Sequence, residues 1–166
     1  RIAGEVKGFS SEGLVDPKTA ERVERFVLFA IAAADQALRQ AGLLGASTDP
    51  ERVAVLIGSG IGGLWEAEKQ QTRLLEKGPR SLNPLGILKL IANSASGYVS
   101  IRYGFQGPSM APTSACASSA HALAAALDLL RAGRADVAVA GGSEAVITPL
   151  CLGAFGAMQA LSLRNE

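Results

Sequence analysis

The segment Thr113-Ser114-Ala115-Cys116-Ala117-Ser118-Ser119-Ala120-His121 holds the clearest chemical potential in the chain. A cysteine stands among small residues where an extended stretch gives way to a helical one. Ala115 and Ala117 leave its sulfur open to a bulky acyl group. A helix start offers unpaired N–H groups and the positive end of the dipole, which favour an anionic sulfur and an oxyanion beside it. Such a sulfur suits covalent acyl transfer. The competing reading is a buried packing cysteine, since free cysteine behaves as a small hydrophobe. His121 is the tempting base, but five residues on it lies about 140° around the helix from Cys116 and cannot hydrogen-bond the sulfur from there. It is expected to be a packing or buried hydrogen-bonding histidine. Cys151, in an apolar run with no cationic neighbour, is expected to be a core thiol.

A second pattern competes for function. Gly58-Ser59-Gly60-Ile61-Gly62-Gly63 fits G-x-G-x-x-G, placed after a strand and before a helix, as in dinucleotide-binding folds. The pattern needs an acid about 20 positions on, at the end of a second strand. Residues 78–83 instead run Gly-Pro-Arg-Ser-Leu-Asn. A glycine turn serving close packing is the better reading, and a dinucleotide-binding oxidoreductase the weaker one. Glu144, in Gly141-Gly142-Ser143-Glu144, is a charge inside an apolar region and is expected to be a solvated or hydrogen-bonded structural acid.

The elements that must position these residues follow from the hydrophobic pattern. Asp16-Pro17 opens a helix, with the acid at the cap and proline in the first turn, and Gly42 stops it. Val53 to Ile57 is a continuous apolar run suited to a buried strand. Leu64 to Glu76 is a polar-faced helix, and another apolar helix runs from Pro84 to about Tyr103. Ser109 to Ala115 is extended. Ala117 to Ala132 is helical and ends at Gly133. Asp136 to Ala140 is a second buried strand, and Thr148 to Leu161 is helical. Strands alternating with helices argue an α/β layered fold with a largely parallel sheet.

Composition narrows the class. The 166 residues carry 16 Lys+Arg against 15 Asp+Glu, 48% hydrophobic residues and 19% charged, which excludes a disordered chain. A net charge of +1 leaves no electrostatic footprint for nucleic acid or an anionic membrane. Two cysteines and one histidine give neither a disulfide framework nor a zinc cluster, and no cofactor is called for. Val137 to Met158 is long enough to cross a bilayer, but Glu144, Pro149 and four glycines make it strand, loop and helix instead. With no leader pattern at Arg1, a cytoplasmic protein is expected. The whole of 1–166 is taken as one folding unit.

The run Thr113 to His121, Ala140-Gly141-Gly142-Ser143-Glu144 and Ala160-Leu161-Ser162-Leu163-Arg164-Asn165-Glu166 resemble the N-terminal half of a β-ketoacyl-acyl-carrier-protein synthase. Gly58 to Gly63 and Arg102-Tyr103-Gly104-Phe105-Gln106-Gly107-Pro108 resemble synthase II most closely, whereas Ser118-Ser119-Ala120-His121 leans toward synthase I. The resemblance implies a thiolase-like layered α/β/α/β/α fold, of which 1–166 would be an incomplete N-terminal domain, and a homodimer. It implies that Cys116 is acylated by an acyl-carrier-protein thioester and that its backbone N–H is one oxyanion donor. Malonyl-carrier protein would then decarboxylate and condense with the acyl group. Gly60, Ile61 and Gly62 would line the acyl pocket, with Ile61 limiting chain length. Two histidines, a lysine and the second oxyanion donor would come from a C-terminal half beyond Glu166. A polyketide ketosynthase is the near alternative. A non-catalytic synthase-like partner is a further one, against which Cys116 argues.

Overall fold

Val53 to Ile57 forms the centre of the sheet because every residue of the run is apolar and can be covered on both sides. In the computed structural model, which describes residues 3–45 and 47–164, all six residues of β1 (Val53–Gly58) are buried. Arg1, Asn165 and Glu166, the last two within the resemblance motif quoted above, lie outside the described residues. Parallel strands flank β1 on both sides, β2 (Ser109–Met110) pairing Val55 with Ser109 and β3 (Val137–Gly142) pairing Val53 with Val137 through Gly58 with Gly142. The sheet order is β2-β1-β3.

Alternation along β1 assigns its two faces. Val55 and Ile57 join a core with α2 (Arg25–Gln40) and α5 (Ser94–Tyr103), whose Phe26, Ile31 and Val99 are almost wholly enclosed. Ala54 and Leu56 face α6 (Ser118–Arg131), which packs through Ala122, Ala126 and Leu129. Alanines on that face bring the helix axis close to the sheet. The opposite side of α6 presents Leu123, Leu127 and Leu130 to the exterior.

Chain punctuation follows the sequence at most ends. Asp16 caps α1 (Pro17–Arg22) by accepting the Thr19 N–H at 3.0 Å. Gly42 and Gly133, both with positive φ, close α2 and α6. In each, the following N–H returns to the last turn, Leu43 to the Leu38 carbonyl and Arg134 to the Leu129 carbonyl.

Five expected elements differ. The helix expected from Pro17 to Ala41 is divided, because Val23 is extended and buried and Glu24 caps a fresh start, accepting the Arg25 N–H. The helix expected from Pro84 to Tyr103 is also divided, into α4 (Gly86–Leu90) and α5, at an extended Ile91. That break frees the Leu90 carbonyl to accept the Gly63 N–H at 3.0 Å, docking the glycine turn that leads into α3 (Leu64–Lys77). The extended stretch before Cys116 pairs as a strand only at Ser109–Met110. Finally, β3 continues through Gly141 and Gly142, and the last helix, α7, is Pro149–Ala157. Among the described residues no helix is long and apolar enough to cross a membrane, and the stretch 137–158 is strand, loop and helix as expected.

Candidate active site

The carboxyl ends of β1 and β3 and the turn before α6 meet in one place, the usual location of a ligand site in a parallel sheet. Both strands end in glycine, and Gly58 pairs with Gly142. A Cβ on Gly58 would run into the Ser118 carbonyl, and one on Gly142 would lie 2.6 Å from the Ser119 Cβ. The two glycines therefore let the head of α6 sit directly on the strand ends. This close approach, with Gly62 at positive φ, is the physical reason for a glycine-rich turn here.

Cys116 stands at the head of α6, exposed. Ala115 just before it adopts φ +51, a left-handed conformation that costs a non-glycine residue about 1–2 kcal/mol. The turn is held by its neighbours. The Ser118 N–H and hydroxyl both donate to the Ala115 carbonyl, at 3.1 and 2.7 Å, and the Ser114 N–H donates to Ser118 Oγ at 2.9 Å. Ser118 is buried, so this brace is partly shielded from water. His121 Nδ1 pairs with the Ser114 hydroxyl at 2.6 Å. The histidine is thus a hydrogen-bonding group of the cysteine turn, as one of its two expected readings held, but it is exposed rather than buried.

A pocket of about 380 Å³ opens beside the cysteine, walled by Cys116 and Ala115, by Gly60 and Ile61, and by Glu144, Val146 and Phe155. Its lining is mainly apolar. The turns at Cys116 and Gly58–Ile61, far apart in sequence, thus share one cavity. Gly62 does not line it; a Cβ there would press on the Leu90 carbonyl, so this residue supports the turn from behind. Phe155 and Val146 were not singled out by the sequence. Phe155 is the sole aromatic in the Gly/Ala-rich segment 153–157, which is the signal that could have marked it.

Glu144 is tied to the glycine turn. Its Oε2 accepts the N–H groups of Gly60 at 2.7 Å and Ile61 at 3.1 Å, and its Oε1 accepts the Ser59 hydroxyl at 3.1 Å. The expectation of a hydrogen-bonded structural acid holds. The bonds also dispose of the dinucleotide reading. The Gly62 N–H donates to Ser59 Oγ at 3.0 Å, Gly63 to Leu90, and Leu64 to the Gly62 carbonyl. Successive N–H groups that a pyrophosphate would need are already occupied. Cys151 is buried in α7, where burial and the nearby Glu144 and Glu68 carboxylates push its thiol up. That makes it a poor nucleophile. Among the described residues no cluster of metal-ligating side chains is present.

An arrangement of this kind, a cysteine on a strained turn at a helix head beside an apolar pocket, can hold an acyl group as a thioester. The fold is that of ketosynthases, thiolase-like proteins. A solved β-ketoacyl synthase from Burkholderia phymatum superposes with a TM-score of 0.84 at 25% identity, covering 96% of this chain and 39% of that one. The ishigamide ketosynthase/chain length factor superposes with a TM-score of 0.88 at 22% identity, covering 96% and 40%. Residues 9–166 match the family model described as the β-ketoacyl synthase N-terminal domain, and the chain belongs to that family. Among curated relatives, a 3-oxoacyl-[acyl-carrier-protein] synthase 2 from Synechocystis sp. is 43% identical and one from Vibrio cholerae 42% identical, each over 100% of this chain. The chain spans about 40% of the length of those relatives.

Proposed function

We propose that the protein carrying this chain is a β-ketoacyl-[acyl-carrier-protein] synthase of fatty-acid elongation, working in the cytoplasm as a homodimer. The observation that carries this reading is Cys116, exposed on its braced turn at the mouth of an apolar pocket. In this reading the Cys116 sulfur attacks an acyl-carrier-protein thioester, the acyl–sulfur bond to the carrier breaks, and the carrier thiol takes the proton. The Cys116 N–H, preceding the first turn of α6, donates to the oxyanion that forms. The acyl chain lies in the pocket against Gly60 and Ile61, with Gly62 behind. Malonyl-carrier protein then loses CO2, and its carbanion attacks the acyl thioester, releasing the Cys116 thiolate and a 3-oxoacyl-carrier protein.

Groups for the decarboxylation would come from the remaining length of the protein, since His121 is already engaged with Ser114. The polyketide alternative has a type II PKS ketosynthase among the structural neighbours, but at 21% identity against 43% for the synthase 2 relative the elongation reading is preferred. The test is direct. The full-length protein, given acyl- and malonyl-carrier proteins, is expected to release CO2 and form a 3-oxoacyl-carrier protein two carbons longer than the primer. Absence of product with every primer length overturns the proposal.

A further inference from the structure

Ile61 lines the pocket beside Cys116. The residue is 47% exposed, so packing holds it only in part and its position depends on the backbone of the turn. That backbone is in turn set by Glu144, which lies 83 residues away in sequence and receives the Gly60 and Ile61 N–H groups on a single oxygen. A Cβ on Gly60 would meet Glu144 Oε2 at 3.0 Å and the Ala115 carbonyl at 3.4 Å. The Gly60–Ile61 segment is thus clamped between the carboxylate and the cysteine turn. Two consecutive N–H groups converging on one oxygen form a small anion cradle. Here the protein's own side chain fills it. Placing a carboxylate at the wall of an apolar pocket is costly unless its oxygens are bonded, and all three donors come from this one turn.

We infer that Glu144 is a specificity-positioning residue: its carboxylate holds Ile61 at the pocket wall and thereby sets the length of acyl chain the pocket admits. The inference rests on the acyl-transfer reading given above. Glu144 need not touch the reacting atoms; it acts through the Gly60–Ile61 backbone. Its distance from Cys116 in sequence and its place in the loop after β3 make it separable from the nucleophile by mutation.

The experiment uses the full-length protein and two readouts. One is amide hydrogen exchange at Gly60 and Ile61; the other is the ratio of cysteine acylation rates with hexanoyl- and myristoyl-carrier protein. Glu144→Ala is expected to speed exchange at both amides about ten- to a hundredfold, as for loss of charge-assisted hydrogen bonds. It is expected to shift the rate ratio about tenfold toward the longer chain, the scale of discrimination by an apolar pocket wall. Glu144→Gln keeps a carbonyl for the two N–H groups without the charge and is expected to fall between wild type and Glu144→Ala in both. Should the alanine variant fail to fold, Glu144→Asp, charged but one methylene short of the turn, is expected to move both readouts in the same direction. Unchanged exchange, or an equal loss of rate for both chain lengths, overturns the role of Glu144 while leaving the acyl-transfer reading intact. Failure of the wild type to accept either thioester overturns that reading, and with it the acyl-length role.

Discussion

Replacing Gly142 by alanine tests whether the ends of the strands seat the helix that carries Cys116. The added Cβ would lie 2.6 Å from the Ser119 Cβ and 3.2 Å from its Cα, so the first turn of α6 must move by about 1 Å to regain ordinary contact. Both obstacles are close to the backbone, and a flexible side-chain tip is not available to yield. Overpacking of this kind costs about 1–3 kcal/mol. The neighbour supplies the control. A Cβ on Gly141 meets nothing within 4 Å, and its φ is not positive. Gly141→Ala should therefore lie within about 0.5 kcal/mol of wild type, or slightly on the stable side, because alanine gives up less freedom in a strand. Urea unfolding of the full-length variants reads the difference. Gly142→Ala should also slow alkylation or acylation of Cys116, since displacing Ser119 shifts the adjoining Ser118, which braces the cysteine turn. Equal midpoints for the two variants would refute the argument that Gly142 is needed for the close approach of α6 to the strand ends.

Three other expectations follow from single contacts. Iodoacetamide at neutral pH should modify exposed Cys116 much faster than buried Cys151, whose thiol is held up by burial and two carboxylates; the reverse order by peptide mass mapping would remove Cys116 from the mechanism. Ile61→Phe should suppress long acyl primers by about 1–3 kcal/mol relative to short ones, and equal losses would assign the residue to folding instead. Asp35 accepts from Arg39 at 2.6 Å and from the Tyr103 hydroxyl at 3.0 Å, and these bonds hold its carboxyl below the ordinary carboxylate range. Its contribution to stability is present above the ordinary carboxylate pKa and is lost as pH falls through the depressed value. Asp35→Asn should flatten the acid limb of the Tm–pH curve, and an unaltered limb would show that the α2–α5 tie contributes nothing.

The sequence disclosed local features well and long-range ones poorly. Val53 to Ile57 was legible because a strand covered on both faces has no polar alternation to obscure it. Asp16-Pro17, Gly42 and Gly133 were legible because caps are local chemistry. The breaks at Val23 and Ile91 were not, since each exists to satisfy something distant: a buried valine in one case, a carbonyl for the Gly63 N–H in the other. The same holds for the site. Cys116 announced itself by its neighbours. Glu144 showed only as an acid in an apolar stretch, and its three donors lie more than 80 residues earlier. The glycine turn was ambiguous for the same reason. Glycines needed for a phosphate and glycines needed for an approaching helix have one sequence pattern, and only Ser118, Ser119 and Leu90 distinguish them.

The proposed mechanism requires that Cys116 carry the acyl group. Incubating the full-length protein with an acyl-carrier-protein thioester, digesting it at low pH and mapping the acylated peptide by mass spectrometry tests this most directly. One hydroxylamine-labile adduct is expected, on the peptide containing Cys116, and it should disappear in Cys116→Ala with the fold retained. An adduct on Cys151, or acylation that persists in Cys116→Ala, would contradict it.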